Sequence, residues 1–170
     1  MAPRTAGLRA VPPERDRRVA PSWSADAYPG VWGVTLWTTD RAPLLMGLGE
    51  QGIDLSSLGR LVERCWHDVT RRSPGVILDE YVILPDRLRA VLHISGDRRS
   101  GAIGRVVARF KTALARAVQV AGLGTADRIW EEGFDGHLVQ GPDELVLWRR
   151  RIRAGREGGR TPTGRAPARR

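Results

Sequence analysis

The chain has 170 residues, room for one domain with a real core plus tails. Its net charge is +9, and it carries six tryptophans but one cysteine. The lone Cys65 excludes an internal disulfide and a cysteine-built zinc site, and no run of about 18 apolar residues offers a membrane span. The opening residues hold no continuous apolar stretch, so no secretory signal is expected. A reducing cytoplasm fits these features.

The location of the charge is more telling than its size. The first 20 residues carry five arginines against two acids, and residues 149–170 carry nine against one, which leaves 21–148 at −2. Arginine-rich tails screen phosphate and bind polyanions without reading sequence. Arginine outnumbers lysine 27 to 1, a bias that base composition would also produce. Residues 1–24 mix proline, arginine and small residues without periodicity and are expected to be disordered. Residues 153–170 read the same way, so the folded domain is expected over 25–152.

Taken in chain order, Val31–Thr38 is rich in β-branched and aromatic residues and reads as a strand. A polar turn follows at 39–43. Leu58, Leu61, Val62, Cys65, Trp66 and Val69 recur at three- and four-residue steps and mark one buried face of a helix over Ser56–Arg71. On that stripe Cys65 is core filler. Ser56 or Ser57 suits its start, and Ser73-Pro74-Gly75 ends it. Val76–Leu84 and Arg87–Ile94 are strands joined by Pro85-Asp86, which makes them an antiparallel hairpin. Alternation puts Leu88, Ala90, Leu92 and Ile94 on one face of the second, and Arg87, Arg89, Val91 and His93 on the other. Ile103, Val106, Val107, Phe110, Leu114 and Val118 form the buried stripe of a helix over Ala102–Ala121, with Arg105, Arg109 and Arg116 off it. A short strand over Gly136–Val139 and a last helix over 142–152 complete the domain. Acids open that helix and arginines close it, as the dipole favours.

Strand, helix, strand, strand, helix, strand and a trailing helix give an α+β fold: a ferredoxin-like antiparallel sheet with two helices on one face plus a C-terminal helix. The opposite sheet face is then expected to be open to a partner or substrate.

Four segments carry a resemblance. They are Tyr28–Leu45, with its strand and Arg-Ala-Pro-Leu-Leu turn; Val82-Ile-Leu-Pro-Asp-Arg-Leu-Arg89; Phe110-Lys-Thr-Ala-Leu-Ala-Arg116; and Ile129-Trp-Glu-Glu-Gly-Phe-Asp-Gly-His137. In order and spacing the chain resembles the REP-associated tyrosine transposases and their small single-strand insertion-sequence relatives, over about residues 25–152. The resemblance implies a protein that works on hairpin or single-stranded DNA, located in the cytoplasm with the nucleoid, and pairs as a homodimer through a sheet edge. It also implies Mg²⁺ or Mn²⁺ on two histidines one residue apart, and a helix tyrosine that attacks phosphate. The positions matching the histidines hold Arg87 and Arg89, and a guanidinium cannot ligate a metal. The positions matching the tyrosine hold Ala113 or Leu114. The only tyrosines are Tyr28 and Tyr81, and Tyr81 belongs to the central hairpin.

Arginine grips phosphate through paired N–H donors, so Arg87 and Arg89 are candidates for the DNA backbone. The alternative is a solvated strand face paired with Asp79 or Asp86. Lys111, Arg109, Arg116 and His137 are further DNA-contact candidates by the resemblance, and Trp130 is a candidate base platform. The leading reading is a DNA-binding relative of these transposases that has lost strand cutting and needs no cofactor. A working nickase with relocated groups and a ferredoxin-like module for RNA or protein stay open.

Overall fold

The computed structural model describes residues 30–50, 52–95, 102–124 and 129–158. The expected N-terminal tail, Tyr28 and the residues from 159 onward lie outside them. The elements are β1 (Gly30–Trp37), a 3₁₀ turn (Thr39–Arg41), β2 (Met46–Gly49), β3 (Gly52–Leu55), α1 (Ser57–Arg71), β4 (Val76–Leu84), β5 (Arg87–Ile94), α2 (Ala102–Val120), β6 (Asp135–Leu138) and α3 (Gly141–Gly158).

The main sheet runs β4-β5-β1-β6, antiparallel throughout. Period-two alternation splits it into two faces. Val34, Leu36, Ile83, Leu88 and Leu92 bury against the apolar stripes of α1 and α2. Trp66 of α1 and Phe110 of α2 meet edge to face at 5.1 Å in the middle of this layer, both fully buried. This is the expected ferredoxin-like arrangement.

α1 starts where a side chain can take over an orphan backbone donor. Ser56 Oγ accepts from the Gly59 N–H at 3.0 Å and donates to the Leu44 carbonyl at 2.8 Å. Ser56→Ala is therefore expected to cost about 1 kcal/mol, read as a lower urea midpoint with an unchanged slope.

Two features depart from the sequence reading. β2 and β3 form a separate hairpin that the sequence does not announce, because three of its eight residues are glycine and each strand is only four residues long. It is pinned at its base by buried Met46 and Leu55. The second departure is larger. The sheet face opposite α1 and α2 is not left open, because α3 packs on it. Leu145, Trp148 and Ile152 share one stripe of α3 and bury against Val31, Val82 and Val91.

The same helix outlasts its expected end at 152 and runs to Gly158. Beyond that point it is held by β4: Arg153 pairs with Glu80, and Arg156 Nε donates to the Tyr81 carbonyl at 2.8 Å. Gly155 faces Val82 and Leu84 of β4. Fully burying Ile152 contributes roughly 1.5–3 kcal/mol, more than exposed ion pairs usually do. The apolar stripe seats α3, and the arginines extend it.

Candidate nucleic-acid interface

The face beneath and beside α3 collects the charged positions. Arg87 and Arg89 do share one side of β5. Arg87 lies opposite Trp37, and Arg89 lies opposite Thr35, which in turn pairs with Asp135 of β6. Arg87 Nε donates to Asp86 Oδ1 at 2.9 Å, and its guanidinium sits 4.1 Å from the centre of the Trp37 ring. Asp86 is thus the acid that faces Arg87. Asp79 is engaged elsewhere, accepting from Arg149 Nε at 3.0 Å and Nη2 at 2.8 Å and lying 3.1 Å from His93.

A third arginine joins them. Asp40 and Arg41 both adopt left-handed backbone, φ 55° and 56°, which non-glycine residues rarely hold and which recurs at functional sites. The turn brings the Arg41 guanidinium to 3.3 Å from the Trp37 ring centre, and Arg41 also pairs with Glu131 at 3.1 Å. Trp37 is fixed from its edge, with Nε1 donating to Asp135 Oδ2 at 2.6 Å. An indole with two guanidiniums over it gains roughly 0.5–2 kcal/mol per cation, depending on desolvation. The Arg41 side chain keeps 40% of its surface exposed, so this end of the face presents a planar cation to solvent.

Arg89 is half-buried. Burial first, then the charge of Arg151, pull its guanidinium below its ordinary pKa, with Asp135 opposing. The residues do not fit a divalent cation. Two guanidiniums stand at the positions that the resemblance assigns to metal ligands, Asp86 faces Arg87, and Asp135 is held by Trp37.

The other candidates scatter. His137 lies on the same face, with Nε2 2.5 Å from Glu144 Oε1, and its ring stacks on Trp148 at 5.9 Å, so it serves the docking of α3. Arg109 and Arg116 are exposed on α2, on the far side of the sheet from Arg87. Leu114 is buried in the core and Ala113 half-buried, so neither position faces Arg87 and Arg89.

Lys111 and Trp130 meet at a different place. Residues 129–133 wrap the end of the sheet, with the Glu131 N–H donating to the Trp37 carbonyl at 2.8 Å. Lys111 Nζ donates to the carbonyls of Glu131 and Gly133, both at 2.8 Å, and burial lowers its pKa. Trp130 is half-buried, its ring 5.7 Å from Phe110. Between α2 and this loop lies a pocket of about 310 Å³ that both residues line. Trp37 and Arg41 are the site residues that the sequence reading missed. Alternation alone could have put Trp37 on the face of Thr35, but not Arg41 above it.

No family model matches the chain. A 65-residue stretch, 38% of the chain, is 29% identical to an uncharacterised protein of Haemophilus influenzae and covers 36% of it, so the chain spans about a third of that relative's length. Among solved structures, the chain is similar to a REP-associated tyrosine transposase bound to a REP hairpin, with a TM-score of 0.56, 17% identity, and coverage of 78% of this chain and 71% of that one. The chain has a transposase-like fold. A transposase candidate from Deinococcus radiodurans is also similar, with a TM-score of 0.51, 16% identity, and coverage of 76% and 92%.

On this transposase-like fold Tyr81 is poorly placed to attack phosphate. Its side chain is buried on the α1 side of the sheet, away from Arg87 and Arg89. Its hydroxyl donates to Glu63 Oε1 at 2.8 Å and lies 3.0 Å from His67 Nε2. Burial, then the hydrogen bond and charge of Glu63, push the phenol far above its usual pKa. A nucleophile needs the opposite shift.

Proposed function

We propose that the protein binds hairpin or single-stranded DNA and does not cut it. The observation that carries this reading is the Trp37 cluster. Two guanidiniums, Arg41 and Arg87, lie over one indole on the sheet face where the resembled enzymes bind metal and phosphate. Planar cations suit phosphate oxygens, and an indole edge among them suits a neighbouring sugar or base. Arg89 adds charge from below, and the arginines at both ends of the chain add affinity without sequence preference. One similar solved protein is bound to a hairpin, which supports the choice of DNA.

Loss of cutting is supported by the arginines at both metal positions, by Ala113 and Leu114 at the nucleophile positions and by the phenol of Tyr81, which holds its proton. The Arg-rich tails are proposed to flank the domain as polyanion contacts, and homodimer pairing through a sheet edge belongs to the same reading.

The test mixes the full chain with hairpin-bearing single-stranded DNA and Mg²⁺ or Mn²⁺. Anisotropy is expected to show binding that weakens steeply with salt, and a denaturing gel to show no covalent protein–DNA adduct. An adduct would restore the nickase. Tighter binding to the matched RNA hairpin would replace DNA by RNA as the partner.

A further inference from the structure

We infer that the pocket between α2 and the 129–133 loop takes one unpaired guanine of single-stranded DNA, with Glu132 reading its Watson–Crick edge. This rests on the DNA-binding reading above and names what that binding selects. The volume, about 310 Å³, is at the small end for ligand pockets and matches a single base better than a larger group. Leu114, Ile129 and Trp130 supply apolar and aromatic wall for the ring.

The polar groups decide which ligand fits. Glu131 is tied to Arg41. Glu132 is exposed, lines the same pocket, and acts on Lys111 electrostatically. Two carboxylates at the rim repel a phosphate, so the backbone is excluded from the pocket itself. Arg41 is one ion pair away, at the other end of Glu131, and offers the phosphate a place beside the base. Lys111 directs two of its three N–H donors to the loop carbonyls, which leaves one for a base acceptor.

An ionised carboxylate only accepts. Guanine presents two neighbouring donors, N1–H and the N2 amine, which match both oxygens of one carboxylate. Its O6 is an acceptor for Lys111. Thymine has one imino donor between two carbonyls. Adenine and cytosine have one amine beside a ring lone pair that a carboxylate repels.

The test is fluorescence anisotropy of the full chain with an all-thymidine oligonucleotide and with the same strand carrying one central guanine, inosine or adenine. Guanine is expected to raise affinity about tenfold. Inosine, which lacks the N2 amine, should keep only part of the gain, and adenine none. Glu132→Gln is expected to abolish the guanine preference and, because it removes a charge that repels phosphate, to raise all-thymidine affinity rather than lower it. Equal salt-dependent affinity for the thymidine and guanine strands would overturn the pocket and leave the DNA-binding reading standing. A guanine preference that survives Glu132→Gln would overturn the role of Glu132. Failure to bind any of these strands would overturn the pocket, and failure on a hairpin-bearing strand as well would overturn the DNA-binding reading.

Discussion

Gly33→Val is expected to lift α3 from the sheet and lower the stability of the whole domain. Strand propensity alone favours the opposite result, because valine suits a strand better than glycine by up to about 1 kcal/mol. Packing reverses the sign. A Cβ at position 33 would stand 2.5–2.6 Å from three atoms of the Trp148 ring, which rests directly on the β1 backbone. That ring is rigid and is stacked on His137, the cross-strand neighbour of Gly33, so it has to move as a unit with its helix. Overpacking typically costs about 1–3 kcal/mol, and partial unseating of Ile152 from Val82 and Val91 adds to it. Two measurements check this. The unfolding midpoint should fall, and limited proteolysis should cut within 141–158 sooner than in the parent. Trp148→Ala in the Gly33→Val background should recover part of the stability in a double-mutant cycle. An unchanged or raised midpoint would mean that Trp148 does not sit on Gly33.

Arg87→Ala combined with Arg89→Ala is expected to weaken DNA binding several-fold and flatten its salt dependence, and Arg41→Ala should extend the effect. Every phosphate left without its cation takes roughly 0.7 off the slope of log affinity against log salt on a single strand. Arg41 has the more exposed guanidinium of the pair over Trp37, so its single substitution should act mainly on affinity. Arg89 is half-buried near Arg151 and Asp135, so its substitution should also move stability. Lysine in place of Arg41 or Arg87 should rescue little, because an ammonium lacks the planar fork that lies on the indole. The comparison that decides the location is Arg109→Ala with Arg116→Ala. Those residues lie on α2, across the sheet, and their removal should flatten the salt slope less. If the α2 pair accounts for the binding and the β5 pair changes nothing, the interface is on the other side of the molecule.

Much of the fold was legible because side-chain period and backbone geometry are tied locally. The hairpin strands Val76–Leu84 and Arg87–Ile94 match their expected bounds, since alternation and the Pro85-Asp86 turn act within a few residues. The helices α1 and α2 follow from apolar stripes at three- and four-residue steps. The shared face of Arg87 and Arg89 follows from their spacing of two. The β2–β3 hairpin was illegible, because four-residue strands with three glycines between them give too short a pattern, and its anchor, the contact of Met46 and Leu55 with the core, is a tertiary one. The reach of α3 past 152 was illegible for a related reason. An Arg- and Gly-rich stretch has no strong helical signal of its own, and its partners Glu80 and Tyr81 lie some 70 positions earlier.

By itself, then, the order of residues determined the α+β architecture, the two-sided sheet and the absence of imidazole at 87 and 89, because each depends on identity and short-range periodicity. The fold alone decided that α3 closes over much of the second face, that Tyr81 points away from it, and that Arg41, Trp37 and Arg87 converge. Those facts depend on strand register, on a left-handed turn at 40–41 and on packing between segments far apart in the chain. No local pattern encodes them.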